Sequence, residues 1–280
     1  MTALEPRTLS ARIALNQGTQ IPVLGLGVWQ MPPASTFRAV GWALEAGYRL
    51  IDTATLYRNE AEVGTGVRQS GVPREEVFVT TKLLGSIHGY TNALEAFEES
   101  RRRLALEYVD LYLIHWPMAP SVHVRQETWR ALEHLHTEGL ARAVGVSNYT
   151  IQHLEEIRAS SQLVPAVNQI ELNPFQYPSE LVDYCGGRGI RVEAYSPLTH
   201  GERLSDPRIV AIAKRVGRTP AQVFVRWGLQ HGFIEIPKSA RRERILENAA
   251  VFGFDLGPAE MAALDALSGP RTPPGSQSAA

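Results

Sequence analysis

The sequence predicts an α/β chain closed into a (β/α)8 barrel, the TIM-barrel architecture, with an N-terminal β-hairpin plug and extra C-terminal helices. Three observations point there. Eight short apolar or β-branched runs recur at 24–27, 50–52, 77–82, 109–115, 141–147, 167–171, 191–195 and 234–236, with helical patterns between them. Regular alternation of this kind gives a parallel sheet, and eight units give closure. The length of 280 residues suits one such barrel. Polar or aromatic residues gather at the C-terminal end of run after run, the face where barrels of this class carry their sites.

The plug comes first. Residues 12–15 and 20–23 flank the turn Asn16-Gln17-Gly18-Thr19, a hairpin that would stop one end of the barrel. The run Leu50-Ile51-Asp52 empties into a loop bearing Tyr57, and a helix is expected to begin near Asn59. Further helix starts are read at Thr91 ahead of Ala93-Leu94-Glu95-Ala96-Phe97, at Pro178 ahead of Ser179-Glu180-Leu181-Val182, and at Pro220. Gly139 and Gly189 end helices just before strands. Residues 242–251 and 258–267 read as two helices beyond the eighth strand, and 268–280, rich in Pro, Gly and Ser, as a flexible tail. No linker interrupts the series, so residues 1–280 are read as one domain.

Composition narrows the partners. Hydrophobic residues make up 44% of the chain and charged residues 20%, enough apolar material for a large core. A formal net charge of -1 argues against a nucleic-acid or membrane-surface partner. Cys185, the one cysteine, excludes an intramolecular disulfide or a multi-cysteine metal site. The first residues lack the apolar run of a secretory signal and no segment has the length and apolarity of a membrane span, so a cytoplasmic monomer is expected. Among the 28 Lys and Arg residues only Lys82, Lys214 and Lys238 are lysines. In so arginine-rich a chain they mark places where a compact ammonium is wanted, with chance survival on the surface as the plain alternative.

Several motifs fail on inspection. Gly25-Leu26-Gly27-Val28-Trp29-Gln30 and Gly64-Thr65-Gly66-Val67-Arg68-Gln69 begin like dinucleotide fingerprints but have Gln where the third glycine belongs, and the second lies within a helical pattern. Gly145-Val146-Ser147-Asn148-Tyr149 is no nucleophile elbow, because Tyr149 fills the place of the last glycine. His134 and His136 share a helix without a zinc-binding pattern and are read as solvent-facing; no metal is expected.

What remains is the set of residues at the run ends. Trp29 follows the first, and Asp52, Lys82 and His115 end the second, third and fourth. Ser147-Asn148, then Gln169 and Glu171, then Tyr195-Ser196, then Lys238-Ser239 complete the circuit. Singly each has an ordinary explanation: a turn cap, a solvated cation, a core histidine, a packed aromatic. Four titratable groups of complementary kind on adjacent strands and one loop, Asp52, Tyr57, Lys82 and His115, instead make an acid–base system.

Over nearly its whole length the sequence resembles the aldo-keto reductase family. Gly47-Tyr48-Arg49-Leu50-Ile51-Asp52-Thr53-Ala54 with Glu60 and Gly64 carries the resemblance, as do Val109-Asp110-Leu111-Tyr112-Leu113-Ile114-His115-Trp116-Pro117, Gly145-Val146-Ser147-Asn148, Asn168-Gln169-Ile170-Glu171 and Ile236-Pro237-Lys238-Ser239. The resemblance implies that Tyr57 is the proton donor and that Asp52, Lys82 and His115 complete a tetrad with it. It implies NADP(H) as cofactor, with Ser147, Asn148 and Gln169 on the nicotinamide carboxamide, Tyr195 stacked on the ring, and Ser196 and Leu198 among the contacts. At the adenosine end it implies Lys238, Ser239, Arg244, Glu247 and Asn248. Two cations beside a hydroxyl suit a 2′-phosphate better than a ribose hydroxyl.

The chemistry agrees with these roles. A phenol titrates near 10. An ammonium about 4 Å away, at an effective dielectric near 20, would favour phenolate by roughly 4 kcal/mol and is expected to lower that pKa by about three. Trp29, Leu84 and Trp116 would wall the substrate pocket; Leu84 stands where many relatives have tryptophan, and the connection from 198 to 206 is short, so an open pocket is expected. The expected function is NADPH-dependent reduction of an aldehyde or ketone, a small-molecule carbonyl substrate. An NADP(H)-sensing protein with little turnover is the alternative, and a barrel hydrolase lacks the metal ligands it would need.

Overall fold

The computed structural model describes residues 8–268. The predicted tail thus lies, from residue 269 onward, outside the described residues. The antiparallel pair β1 (Arg12–Ala14) and β2 (Gln20–Pro22) comes first, then β3 (Leu26–Gly27), α1 (Pro33–Glu45), β4 (Leu50–Asp52) and α2 (Glu60–Gln69). The alternation continues through β5 (Phe78–Leu83), α3 (Tyr90–Leu104), β6 (Val109–Ile114), α4 (Val122–Thr137), β7 (Ala141–Ser147), α5 (Ile151–Arg158) and β8 (Val167–Glu171). It ends with α6 (Ser179–Gly187), β9 (Arg191–Tyr195), α7 (Pro207–Val216), α8 (Pro220–Gln230), β10 (Ile234–Glu235), α9 (Arg242–Ala249) and α10 (Pro258–Asp265).

Strands β3 to β10 form a parallel sheet in sequence order. Its two ends meet: Gly25 N donates to Glu235 O at 2.8 Å, Glu235 N to Val23 O at 2.9 Å, and Gly27 bridges Lys238. The sheet is therefore a closed (β/α)8 barrel, and no edge is left to pair with another chain.

Side-chain alternation along the strands sorts the core into two shells. Leu50, Phe78, Leu111, Leu113, Ala143, Val167, Ile234 and Ile236 fill the barrel's interior. Their neighbours in sequence, such as Ile51, Val79, Tyr112 and Val144, pack outward under the helices. The hairpin does plug the N-terminal end. Leu15 and Ile21 join the inner shell, and Gln17 bonds Val144 N, Val144 O and Val164 O.

Element boundaries differ from the sequence reading in a few places. Thr91 sits inside α3, whose N-cap is Gly89 at φ 94, a conformation glycine adopts without strain. Both C-terminal helices are shorter than expected, ending at Ala249 and Asp265. His134 is exposed as expected, but His136 is half-buried, its Nδ1 3.2 Å from Ala141 O. No helix among the described residues is long and apolar enough to cross a membrane.

Candidate active site

Asp52 ends β4 pointing into the mouth, 2% exposed. The chain then makes a 3-10 turn over Thr55–Tyr57 and passes through Arg58 at φ 55, a left-handed conformation that costs a non-glycine residue about 1–2 kcal/mol. Asn59 holds this turn in place. Its Oδ1 accepts from Thr53 Oγ1 at 2.7 Å and its Nδ2 donates to Val28 O at 2.9 Å, tying the loop to the end of β3. Tyr57 is thereby folded back over the mouth.

Beneath it lies Lys82, at 0% exposure. The ammonium has three protons and finds three acceptors: Asp52 Oδ1 at 2.7 Å, Thr53 O at 3.0 Å and Tyr57 OH at 3.4 Å. Burial works against the ammonium, yet Asp52 and then Tyr57 hold its pKa above the ordinary lysine value. His115 stands beside them, its ring edge-on to Tyr57 with centroids 5.7 Å apart. Burial, followed by the Lys82 charge, pushes its pKa down to about 3, so the imidazole is neutral at any physiological pH. Its Nδ1 is buried with no hydrogen-bond partner among the described residues.

Tyr57 departs from expectation in one respect. Its pKa lies above the ordinary phenol value, not below it: burial is the largest influence, Lys82 lowers it, and Asp52 raises it again. The sequence argument counted the nearby ammonium but neither the water stripped from the phenol nor the carboxylate that shares that ammonium.

The residues expected around the nicotinamide meet in one network. Asn148, left-handed at φ 61, donates from Nδ2 to His115 O and to Ser147 Oγ, each at 3.0 Å, and its Oδ1 accepts from Tyr195 OH at 2.9 Å. Gln169 is engaged more deeply than expected. Both protons of its Nε2 are taken, by Asp52 Oδ2 and by Glu193 Oε2, each at 2.8 Å, leaving only Oε1 to face a ligand. Ser196 Oγ lies 3.2 Å from His200 Nε2, and Leu198 packs half-buried against the core.

At the far end, Lys238 and Arg244 are exposed and neither forms an ion pair among the described residues. They stand just before and within the first turn of α9, where the helix end also favours an anion. Ser239 and Asn248 are buried beside them and Glu247 is half-buried. Unpaired cations at a helix N-terminus fit a phosphate, so the residues present suit NADP(H).

Of the residues expected to wall a substrate pocket, Trp29 is 39% and Trp116 40% exposed, too open for core packing. Leu84 is half-buried. Gly85 adjoins it, and a Cβ there would come 3.0 Å from Trp116 Cβ, so the missing side chain lets the indole lie where it does. Sequence reasoning missed His200, whose ring is 5.3 Å from that of Trp29, and Glu193. The signal for Glu193 was present: a carboxylate inside an apolar strand, two residues before Tyr195 and so on the same face.

Comparison with known proteins matches residues 23–268 to the description "Aldo/keto reductase family". An aldo-keto reductase of Mycolicibacterium smegmatis is 49% identical over 92% of this chain and 94% of its own. The glyoxal reductase of Bacillus subtilis is 45% identical over 94% of this chain and 95% of its own. A crystal structure of a Bombyx mori aldo-keto reductase in complex with NADP superposes with a TM-score of 0.87 at 37% identity, covering 92% of both chains. By this match along most of its length, the chain belongs to the aldo/keto reductase family, and with it to the NADP(H)-dependent oxidoreductases that act on carbonyl groups.

Proposed function

We propose that this protein reduces an aldehyde or ketone to an alcohol, with Tyr57 giving the proton to the carbonyl oxygen. Ser147, Asn148, Gln169, Tyr195, Ser196, Leu198, Lys238, Ser239, Arg244, Glu247 and Asn248 would hold NADPH, which would supply a hydride from nicotinamide C4. The observation that carries the reading is the Lys82 ammonium placed between Asp52 Oδ1 at 2.7 Å and Tyr57 OH at 3.4 Å. As the carbonyl oxygen gains negative charge it takes the phenolic proton, and the phenolate left behind faces a fixed cation. The raised pKa of Tyr57 keeps that proton in place until the oxyanion develops. His115, being neutral, donates its one N–H toward the carbonyl oxygen without competing for the proton.

A protein that only sensed NADP(H) would have no use for a buried ion pair under a phenol. Such a pair is costly to keep, because taking each ion out of water carries a penalty of several kcal/mol. For the substrate, Trp29, Leu84 and Trp116 form an apolar wall, and a relative named for glyoxal makes small aldehydes and dicarbonyls the first compounds to screen.

Replacing Tyr57 by Phe removes the proton and little else. Carbonyl reduction should fall about 10²–10⁴-fold while NADPH affinity stays within a few-fold. Turnover above about a tenth of wild type, where chemistry limits the rate, would take Tyr57 out of this role.

A further inference from the structure

Behind the four groups that meet at the phenol lies a second carboxyl group with no assigned part. Glu193 projects into the barrel from the middle of β9, paired in register with Gln169 on β8, and is 0% exposed. Its Oε2 accepts from Gln169 Nε2 at 2.8 Å, and the same nitrogen donates to Asp52 Oδ2 at 2.8 Å. Its Oε1 has no hydrogen-bond partner among the described residues. One amide group therefore links two buried carboxyls, and the other oxygen of Asp52 holds Lys82.

Resting on the reading of Tyr57 as proton donor, we propose that Glu193 is a positioning residue for that proton transfer, acting through Gln169 and Asp52 on how strongly Lys82 supports the phenol. The charges show why. The groups that face Glu193 inside the barrel are Asp52 from β4, Lys82 from β5, Tyr57 from the loop after β4 and the neutral Gln169 from β8; Ile234 of β10, beside it in register, carries no charge. With Glu193 protonated, Asp52 is the one anion opposite Lys82, and the ammonium is available to a forming phenolate. With Glu193 ionised, a second anion enters the same dry layer, draws on the same cation and makes the phenol harder to ionise. Burial first, and then Asp52, push the Glu193 pKa up to about 8, so the group changes state just above neutrality. The sign follows: below that pH Glu193 is neutral and Tyr57 is the better acid, and above it Glu193 is charged and proton donation weakens.

Glu193→Gln keeps the shape and the Gln169 contact but cannot ionise. In single-turnover reduction followed against pH, the wild type should lose rate as pH rises through about 8. The variant should keep its neutral-pH rate within about threefold, hold it at least one pH unit further into the alkaline range, and bind NADPH as the wild type does. An identical alkaline limb in wild type and variant overturns the proposal, and so does a loss of rate that is uniform in pH and accompanied by a lower melting temperature, which would make Glu193 merely structural. Infrared spectroscopy of the folded wild type gives an independent reading, since the protonated carboxyl band should lose the Glu193 share of its intensity between about pH 7 and 9, over a background from Glu235, another buried carboxyl whose pKa burial raises. Unchanged intensity across that range overturns the idea even if the variant fails to fold. Failure of the Tyr57 reading is told apart, because Tyr57→Phe would then retain turnover whatever Glu193 does.

Discussion

The three protons of Lys82 are all committed, to Asp52, Thr53 and Tyr57, so the residue is an anchor before it is a charge. Lys238 is its opposite, exposed and without an ion pair among the described residues. Losing one charge-assisted hydrogen bond to a phosphate costs roughly 1.5–3 kcal/mol, or about ten- to a hundredfold in affinity. Titration of Lys238→Ala should show that loss for NADPH and almost none for NADH; an equal effect on both cofactors would move the 2′-phosphate elsewhere. At this scale the sequence was readable where a residue's type is its function. It was unreadable where a residue's state depends on its neighbours: the phenol of Tyr57 rises because burial outweighs an ammonium that Asp52 already shares, and Gln169 spends both amide protons inside the protein.

Helix α2 shows how an element can be recognised for the wrong feature. Its Gly64-Thr65-Gly66 stretch imitates a nucleotide fingerprint, but the two glycines serve two neighbours. A Cβ on Gly64 would lie 1.8 Å from Leu104 O at the end of α3, and one on Gly66 would lie 2.8 Å from Val40 Cγ1 of α1. Gly64→Ala should therefore overpack the α2–α3 contact at a cost of about 1–3 kcal/mol, and at roughly 2–4 °C per kcal/mol the melting temperature should drop by several degrees. Calorimetry on the purified variant checks this, and an unchanged transition would mean that the helices can part without loss. Strands were the more legible elements, because short runs carrying apolar or β-branched residues alternate regularly with helical patterns: 50–52, 141–147, 167–171 and 191–195 fall where the sequence placed them. Helix ends were less so, since the cap of α3 is a glycine whose N–H is taken by Thr128 Oγ1, a partner 39 residues away.

Across the whole molecule, the hairpin and the site occupy opposite ends of one barrel. Gln17 ties the plug to β7, giving and taking bonds with Val144 and donating to Val164 O. Gln17→Ala strands the Val144 amide, a penalty of about 1–3 kcal/mol, and should lower the urea midpoint while leaving kcat/KM untouched at moderate temperature. A turnover defect under folded conditions would mean that the two ends are coupled. The distribution of lysines has a practical consequence of its own. Lys82 is sealed in the barrel, so acylating reagents and amine-reactive resins meet only Lys214 and Lys238 among the lysine side chains, one remote from the site in sequence and the other at its proposed phosphate end. On the proposed cofactor reading one of these handles should report occupancy: a dinucleotide bound as proposed would shield Lys238 from acylation and leave Lys214 as an internal standard on the same chain.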